Sequence, residues 1–334
     1  MVKAQGAQEG IEQCRSRIMS LRRELSSYFV DKAELVDLLC ICTLAQEPLL
    51  LVGRPGTAKS DLVVKFAQAL GLRGNQYFEY MLTKFTEPGE IIGPIDIVEM
   101  KNGRYLRRTR SKLPEAKVVF LDEIFKSNSA ILNTLLTIVN ERKFYQDGQA
   151  QPVELRMLFA ATNEIPDFGE LDALKDRFVL KAESRSVRDH AFDALIDKGI
   201  RNEVLRVTGR RPWEGYCTLE DFERLKAHLD GSMLAAVDSA EEGEDRRRFF
   251  PEEVFSLFKR IVRSLEQEDG VELSDRKLIK LYRLMRARAL LFHGGVIGRD
   301  DLTLLRYVAQ RQQDIAPVRE KVDTLLRIAR GSGS

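Results

Sequence analysis

A short apolar run near residue 50 leads into a turn rich in glycine and proline. Residues 49–60 read Leu-Leu-Leu-Val-Gly-Arg-Pro-Gly-Thr-Ala-Lys-Ser, and apolar residues at helical spacing follow from Asp61 to Leu70. A strand, a tight turn and a helix in this order allow backbone N–H groups and the helix N-terminus to converge on an anion. The stretch therefore predicts a phosphate-binding loop, and polyphosphate is the ligand that its geometry suits.

Two side chains at the end of this loop have the chemistry that a nucleoside triphosphate with Mg²⁺ requires. In such loops the Lys reaches the β- and γ-phosphates and the next hydroxyl coordinates Mg²⁺, so we assign these roles to Lys59 and Ser60. Ala58 departs from the usual pattern, which has Gly at this position, and it places a methyl group beside the phosphates. The rest of the predicted nucleotide-binding stretch comprises Gly53, Arg54, Pro55, Gly56, Thr57, Ala58 and Asp61.

A second apolar run, residues 118–121, ends in two acids, Asp122 and Glu123. A continuous apolar run is what a buried parallel strand requires, and ligands bind at the carboxyl ends of such strands. Beside a phosphate loop, the first acid can hold Mg²⁺ and the second can orient and deprotonate an attacking water. The sequence therefore predicts Asp122 as a metal residue together with Ser60, and Glu123 as the general base.

Two further polar residues follow apolar or helical stretches, and each has two interpretations. Asn163 ends the apolar strand 155–162, where it could hydrogen-bond the attacking water or the γ-phosphate, or could simply cap the strand. Arg177 precedes a short strand at 178–180. It is either a surface residue paired with Asp176 or an arginine finger that neutralises charge on a neighbouring subunit's nucleotide.

Two turns predict β-hairpins. Lys101-Asn102-Gly103 joins strand-like residues 95–100 and 104–108, and Gln146-Asp147-Gly148-Gln149 lies within residues 142–155. The first hairpin carries a group of basic residues for which a nucleic acid, an acidic protein surface and plain solvent are all possible neighbours. This group is Arg104, Arg107, Arg108, Arg110 and Lys112.

The chain of 334 residues is long enough for two domains. Helical patterns fill residues 1–48 and most of 186–330, strands fall within 49–185, and residues 331–334 read as a tail. The segment Tyr28-Phe29-Val30 combines aromatic and apolar residues, and it would pack either in the protein core or against adenine. No apolar run approaches a membrane span or a signal-peptide core, so we expect a cytoplasmic protein. The net charge of +2 gives no global attraction to nucleic acid.

With these signals in order, the chain resembles the AAA+ ATPases, and within them the MoxR family, particularly its RavA type. The resemblance extends from about Ile11 to Ala309. The motifs that carry it are Gly53–Ser60, Phe120–Ile124, Ala130–Leu136, Asn140–Phe144, Ala160–Asn163, Ala173–Arg177 and Ser274–Arg276.

This resemblance implies a role for each matching residue. Gly53–Ser60 would be Walker A, Asp122 and Glu123 Walker B, and Asn163 sensor 1. Arg177 would be the arginine finger and Arg276 sensor 2, so that the implied catalytic residues are Lys59, Glu123, Asn163, Arg177 and Arg276. Residues of about 91–113 would be the helix-2 insert and those of about 142–155 the pre-sensor-1 hairpin, both facing a central pore.

The resemblance also implies a fold and an activity. The fold is an α/β P-loop NTPase core, with a parallel sheet flanked by helices and two β-hairpin inserts, followed by an all-α lid. The activity is Mg²⁺-dependent hydrolysis of ATP to ADP and phosphate in a hexameric ring, which would remodel a protein client with a von Willebrand factor A (vWA) domain partner. A nucleic-acid motor is one alternative, although contact with nucleic acid is not expected, and a nucleotide-gated scaffold with negligible turnover is another.

Overall fold

The computed structural model describes residues 2–167, 169–237 and 244–331. In chain order its strands are β1 (Leu49–Val52), β2 (Tyr77–Met81), β3 (Val118–Asp122), β4 (Lys143–Gln146), β5 (Gln149–Pro152), β6 (Met157–Thr162) and β7 (Leu180–Glu183). All of these except β4 and β5 form one sheet with the order β2-β3-β6-β1-β7, in which every neighbouring pair is parallel.

Strand β1 lies between β6 and β7, with Leu50 opposite Ala160 on one side and Lys181 on the other. All residues of β1 and β6 are buried. Helices cover both faces of the sheet, which is why these strands are apolar at every position instead of alternating. The carboxyl ends of β1, β3 and β6 therefore reach one common edge, where polar residues follow each strand.

Helices precede, connect and follow the strands. Those before β7 are α1 (Val2–Tyr28), α2 (Ala33–Ala45), α3 (Lys59–Ala69), α4 (Pro88–Ile92), α5 (Ile97–Lys101), α6 (Ser129–Glu141) and α7 (Asp172–Lys175). Those after it are α8 (Phe192–Val207), α9 (Leu219–Val237), α10 (Glu244–Phe249), α11 (Glu252–Asp269), α12 (Asp275–His293) and α13 (Ile315–Gly331), with a 3₁₀ stretch at Arg299–Tyr307.

The helical region after β7 packs against the first two helices of the chain. Helix α2 is buried over most of its length because it contacts α1, α9 and α12. The predicted α/β core followed by an all-α region is thus confirmed, and the part of the chain that is described has no strand after β7. Of the predicted tail, Gly331 ends α13 and residues 332–334 lie outside the described residues. No described helix is both long and apolar enough to cross a membrane.

The second predicted hairpin is present and the first is not. Strands β4 and β5 pair antiparallel around Asp147 and Gly148, whose φ values of 50° and 72° are typical of a type I′ turn. In the first insert, the prediction of strands over 95–100 and 104–108 is wrong: residues 97–101 form the helical turn α5, and pairing is reduced to one bridge between Ile95 and Arg107.

The helical turn forms because Asp96 caps it. The Asp96 carboxylate accepts hydrogen bonds from the backbone N–H of Val98 at 2.9 Å and of Glu99 at 3.3 Å, and Arg108 donates to the same carboxylate at 2.9 Å. A short acidic side chain that bonds to nearby N–H groups favours a helix start over a strand. This local competition outweighed the Asn-Gly turn signal.

A substitution at Gly93 tests the conformation of the first insert. A Cβ at Gly93 would overlap the backbone carbonyl oxygen of Arg108, and the residue has a φ of +100°. We expect Gly93→Ala to destabilise the insert by about 1–3 kcal/mol, which limited proteolysis and urea unfolding would measure. Gly103→Ala is the control, since its φ is +76° but nothing lies within 4 Å of its Cβ. Equal protease resistance of the two variants would contradict the close approach of Gly93 and Arg108.

Candidate nucleotide-binding site

The turn between β1 and α3 is held by the ends of both neighbouring strands. The N–H of Gly53 donates to Thr162 O at the end of β6 at 3.1 Å. On the other side, the Ser184 hydroxyl donates to Thr57 O at 2.6 Å, just after β7. Inside the turn, the Thr57 hydroxyl donates to Arg54 O at 2.9 Å. The loop therefore has a fixed shape before any ligand binds.

Two small residues allow this shape. A Cβ at Gly53 would lie 2.5 Å from Ser184 O, so only glycine permits the close approach of loop and strand. Ala58 precedes α3 with a φ of 64°, in the left-handed region that costs an L-residue about 1–2 kcal/mol. The position that the sequence marks as unusual is thus also strained, and the strain is retained in the loop where ligand contact is expected.

Lys59 is buried beside the loop, and its ammonium group meets only neutral oxygens. It donates to Gly53 O, to Arg54 O at 3.1 Å and to the side-chain oxygen of Asn163 at 3.3 Å. Burial lowers the pKa of Lys59, while the charges of Asp122 and Glu123 act in the opposite direction. Among the described residues no carboxylate forms an ion pair with Lys59. A phosphate fits this position, because it would supply the missing anion.

Ser60 and Asp122 meet where α3 begins and β3 ends. The Ser60 hydroxyl donates to Asp122 Oδ2 at 2.7 Å, and the other carboxylate oxygen accepts from the N–H of Glu123 at 2.9 Å. Hard oxygens of this kind suit Mg²⁺, which proteins usually bind through one or two carboxylates together with substrate phosphates. Within the described residues there is no group of three or more His, Cys, Asp or Glu that could form an all-protein metal site.

Glu123 and Asn163 complete a connected polar network. The Asn163 amide donates to Glu123 Oε1, while its own oxygen accepts from Lys59. Glu123 has a φ of 54°, which turns the chain sharply after β3, and Lys126 lies 3.3 Å from the same carboxylate oxygen. Asn163 is therefore more than a strand cap, since it joins the phosphate-side lysine to the acid. Lys126 was not predicted.

A cleft beside the loop is lined by residues that are distant in sequence. Tyr28 and Phe29 line it, as do Gly56, Thr57, Ala58 and Asp61 of the predicted stretch. Helix α8 closes one side: Lys198 donates to Phe29 O and Asn202 to Tyr28 O, both at 3.3 Å. Phe29 is also buried in the core, so the predicted core contact is present, and adenine packing by this segment stays a prediction. The contribution of α8 was not predicted.

Arg177 and Arg276 lie away from this cluster. Arg177 precedes β7 at its amino end, whereas the phosphate loop follows the carboxyl end of the adjacent parallel strand β1. The four residues of β7 alone extend about 13 Å, at about 3.3 Å per residue, which exceeds the reach of an arginine side chain. Arg276 is exposed in the first turn of α12, and the next residue, Lys277, contacts Asp176. Both arginines are therefore at the opposite end of the sheet from the loop.

The predicted surface pairing of Arg177 with Asp176 is not seen. Asp176 pairs with Lys277 at 2.7 Å, and the half-buried Arg177 has an Nε without a hydrogen-bond partner in the described part of the chain. The structure thus brings together Lys59, Ser60, Asp122, Glu123 and Asn163, and it leaves Arg177 and Arg276 outside. The roles of all seven remain predictions.

The sheet order, the glycine loop and the strand-end acids define the core of a P-loop nucleotide-binding protein of the AAA+ class. The comparison with family profiles then gives the family. The profile of the MoxR domain in the MoxR-vWA-beta-propeller ternary systems matches residues 16–214, and that of an AAA lid domain matches residues 253–322. The chain belongs to the MoxR family of AAA+ ATPases, as predicted, whereas its RavA type stays a prediction.

Individual relatives agree with this family. An uncharacterized protein of Methanocaldococcus jannaschii is 33% identical over 296 residues, covering 88% of this chain and 71% of the relative. A structural protein of Acidianus two-tailed virus is 28% identical over 291 residues, or 85% of this chain. Chaperone MoxR1 of Mycobacterium tuberculosis is 27% identical over 179 residues, or 52% of this chain. The matches cover only 46% of the length of each of the last two.

A solved structure shares the fold along the whole length. The crystal structure of a candidate ATPase from Cytophaga hutchinsonii superposes with a TM-score of 0.69 at 18% identity, covering 98% of both chains. At this identity the likeness supports the fold alone. It agrees with the arrangement of an α/β core followed by a helical region.

A substitution at Gly53 tests the geometry of the loop. We expect Gly53→Ala to weaken ATP binding at least about tenfold, equivalent to about 1.4 kcal/mol, because the new methyl group must displace either the loop or Ser184 O. Calorimetric titration with ATP and Mg²⁺ would measure this. Gly71→Ala is the control: its φ is +69° with nothing within 4 Å of its Cβ, so it should leave affinity unchanged. Unchanged ATP affinity in Gly53→Ala would count against the loop as the phosphate site.

Proposed function

We propose that this protein is a Mg²⁺-dependent ATPase that forms a ring and acts as a chaperone-like remodeller of protein complexes. The observation that carries the proposal is the hydrogen-bonded line from Lys59 through Asn163 to Glu123, beside the Ser60–Asp122 pair. This line joins a phosphate-binding cation to a base, which is what hydrolysis of a phosphoanhydride requires.

Each residue of the cluster has a defined task in this reaction. Lys59 would bind the β- and γ-phosphates, and Ser60 and Asp122 would hold Mg²⁺. Glu123 orients the attacking water and accepts its proton, and Asn163 fixes the direction of the Glu123 carboxylate. Mg²⁺, when bound, neutralises charge on the phosphates. The adenine base would lie in the cleft beside Tyr28 and Phe29, closed by α8.

The remaining cations must come from another copy of the chain. Because β7 separates Arg177 from the phosphate loop of its own chain, Arg177 can serve only a neighbouring nucleotide. Arg276 lies at the same end and would approach that nucleotide too. A head-to-tail arrangement of this kind generates a ring when the rotation between copies closes and an open filament when it does not, and the family resemblance favours the ring. We infer a hexamer from the family resemblance, and the profile description, which names MoxR-vWA ternary systems, supports a vWA partner.

The two inserts offer a surface for a protein client. They contact each other, since Tyr105 N donates to the Asp147 carboxylate at 3.0 Å and Asp147 N donates to Tyr105 O at 3.1 Å. Large apolar or aromatic side chains are exposed on both, including Val98, Tyr105 and Tyr145. Such exposed groups suit contact with an unfolded or extended protein segment.

The basic residues of the first insert favour a protein client over nucleic acid. Arg104 pairs with Glu99 and Arg108 with Asp96, and Arg107 donates to Gly93 O at 2.9 Å. The carboxylates of Glu99 and Asp96 leave Arg104 and Arg108 with less charge to offer to phosphates, whereas Arg107 bonds a neutral carbonyl and keeps its charge. We therefore keep the remodelling of proteins as the proposed activity, in the cytoplasm.

Glu123→Gln separates binding from hydrolysis. The amide retains the shape of the side chain but cannot accept the proton of water, so we expect hydrolysis to fall about 10²–10⁴-fold while ATP binding is retained. Steady-state phosphate release and calorimetry would measure the two quantities. The control is Glu141→Gln, at the exposed end of α6. Normal phosphate release by Glu123→Gln would remove Glu123 as the base, and negligible release by the unaltered protein would favour a scaffold.

Arg177→Ala tests the contribution of a second copy. We expect hydrolysis to fall about 10³-fold or more, with ATP binding retained, because the finger stabilises only the transition state. Adding the Glu123→Gln variant should restore turnover, since its intact Arg177 can serve the intact loop of the Arg177→Ala copies. Arg260→Ala, an exposed arginine on α11, is the control. Full hydrolysis by Arg177→Ala at assembling concentrations would contradict the finger assignment.

A further inference from the structure

Helix α12 is tied to the core through a buried lysine in its first turn. Lys277 is only 5% exposed, and its ammonium group lies 2.7 Å from Asp176 Oδ1. A lysine at this depth needs an anionic partner, because an unpaired buried charge is costly. The ion pair therefore joins the helical region to the segment just before β7.

Asp176 is directly followed by Arg177, and this segment is held on both sides. The backbone N–H groups of Asp176 and Arg177 donate to Asp172 O at 2.8 Å and Leu174 O at 3.0 Å. On the other side the Phe178 side chain is completely buried. The ion pair with Lys277 is thus a contact through which α12 can influence the direction of Arg177.

Other cations nearby do not replace Lys277. Lys175 donates to Pro166 O at 2.9 Å, and the completely buried Lys181 donates to Phe178 O at 3.0 Å. Burial, with the charge of Lys277, lowers the pKa of Lys181 to about 7, so Lys181 is not a fixed cation. Burial, the largest effect, would raise the pKa of Asp176, but the hydrogen bond and charge of Lys277 together with the charges of Arg177 and Lys181 outweigh it and keep that pKa below its usual value.

The same helix makes a second, comparable contact one turn later. Lys280 lies 3.0 Å from the buried Glu47, which precedes β1, and Arg283 lies 3.5 Å from the same carboxylate. Helix α12 therefore contacts the chain just before two neighbouring strands, through Lys280 before β1 and through Lys277 before β7. Only the contact of Lys277 with Asp176 is next to Arg177, which makes Lys280 a matched control.

We propose that Lys277 is a positioning residue for the arginine finger: through Asp176 it fixes Arg177 in the direction that reaches the nucleotide of the neighbouring copy. A displacement of α12 in one subunit then alters the finger that this subunit presents to the next. The inference rests on the proposed ATPase function, and it adds a residue that touches no nucleotide. Its consequence is that the lid of one copy controls hydrolysis in another.

Three substitutions and one control substitution test the direct effect. We expect Lys277→Met to lower kcat about tenfold to hundredfold with unchanged ATP affinity, since a misplaced catalytic group costs rate without loss of binding. Asp176→Asn should do the same, and Lys277→Arg, which retains the charge, should recover most of the rate. Lys280→Met should lower kcat by less than roughly threefold, because its partner Glu47 is not next to Arg177 and the finger should stay in place. Equal losses in Lys277→Met and Lys280→Met, or no loss in Lys277→Met, would overturn the proposal.

Mixing experiments separate positioning from general damage. Each Lys277→Met copy retains its own phosphate loop, so addition of the Glu123→Gln variant should restore turnover, as is expected for Arg177→Ala. Rescue of Arg177→Ala but not of Lys277→Met would show that Lys277 acts within its own site and would overturn the inference. If Arg177→Ala itself keeps full hydrolysis, the finger assignment fails first, and the role of Lys277 fails with it.

Discussion

The hydrogen bonds that hold β1 between β6 and β7 determine the shape of the phosphate loop. The loop starts where β1 ends, and its first amide, Gly53 N, continues the pairing with β6 by bonding to Thr162 O. On the other side, Ser184 N bonds to Val52 O at 2.7 Å and the Ser184 hydroxyl bonds to Thr57 O. A loop held in this way needs no reorganisation when an anion arrives, so less binding free energy is lost in ordering it. The strain at Ala58 is tolerated for the same reason.

The polar cluster at the strand ends behaves as a unit. Asn163 contacts both Lys59 and Glu123, so a change at any of the three alters the surroundings of the other two. In partly buried surroundings such hydrogen bonds strengthen one another, and their contributions are not additive. The energetic role of Asn163 therefore cannot be read from a single substitution, and it is better defined by double-mutant cycles with Glu123.

The sequence identified members of the site that a local motif marks. It did not identify those whose place depends on contacts with residues far away in the chain. The loop 53–60 and the acids at 122 and 123 are marked by their own neighbours, and the structure brings them together as expected. Lys198 and Lys277 have no local signal, since their partners lie more than 90 residues away in the chain, at Phe29 and Asp176. The first insert was predicted wrongly because Asn102-Gly103 suggested a hairpin, while the cap at Asp96 decided the conformation.

The fixed length of β7 has a consequence for any assembly of this chain. Strand β7 lies at the edge of the sheet, but it is hydrogen-bonded to β1 and largely buried, so it neither stretches nor shortens appreciably. The interval between the end that borders the phosphate loop and the end that follows Arg177 is therefore constant. Successive nucleotides around a ring built from such copies are then separated by a rigid spacer. Adjustments between one hydrolysis event and the next then come from rotation of whole copies about their contacts or from the direction of the Arg177 side chain, and not from a change in this interval.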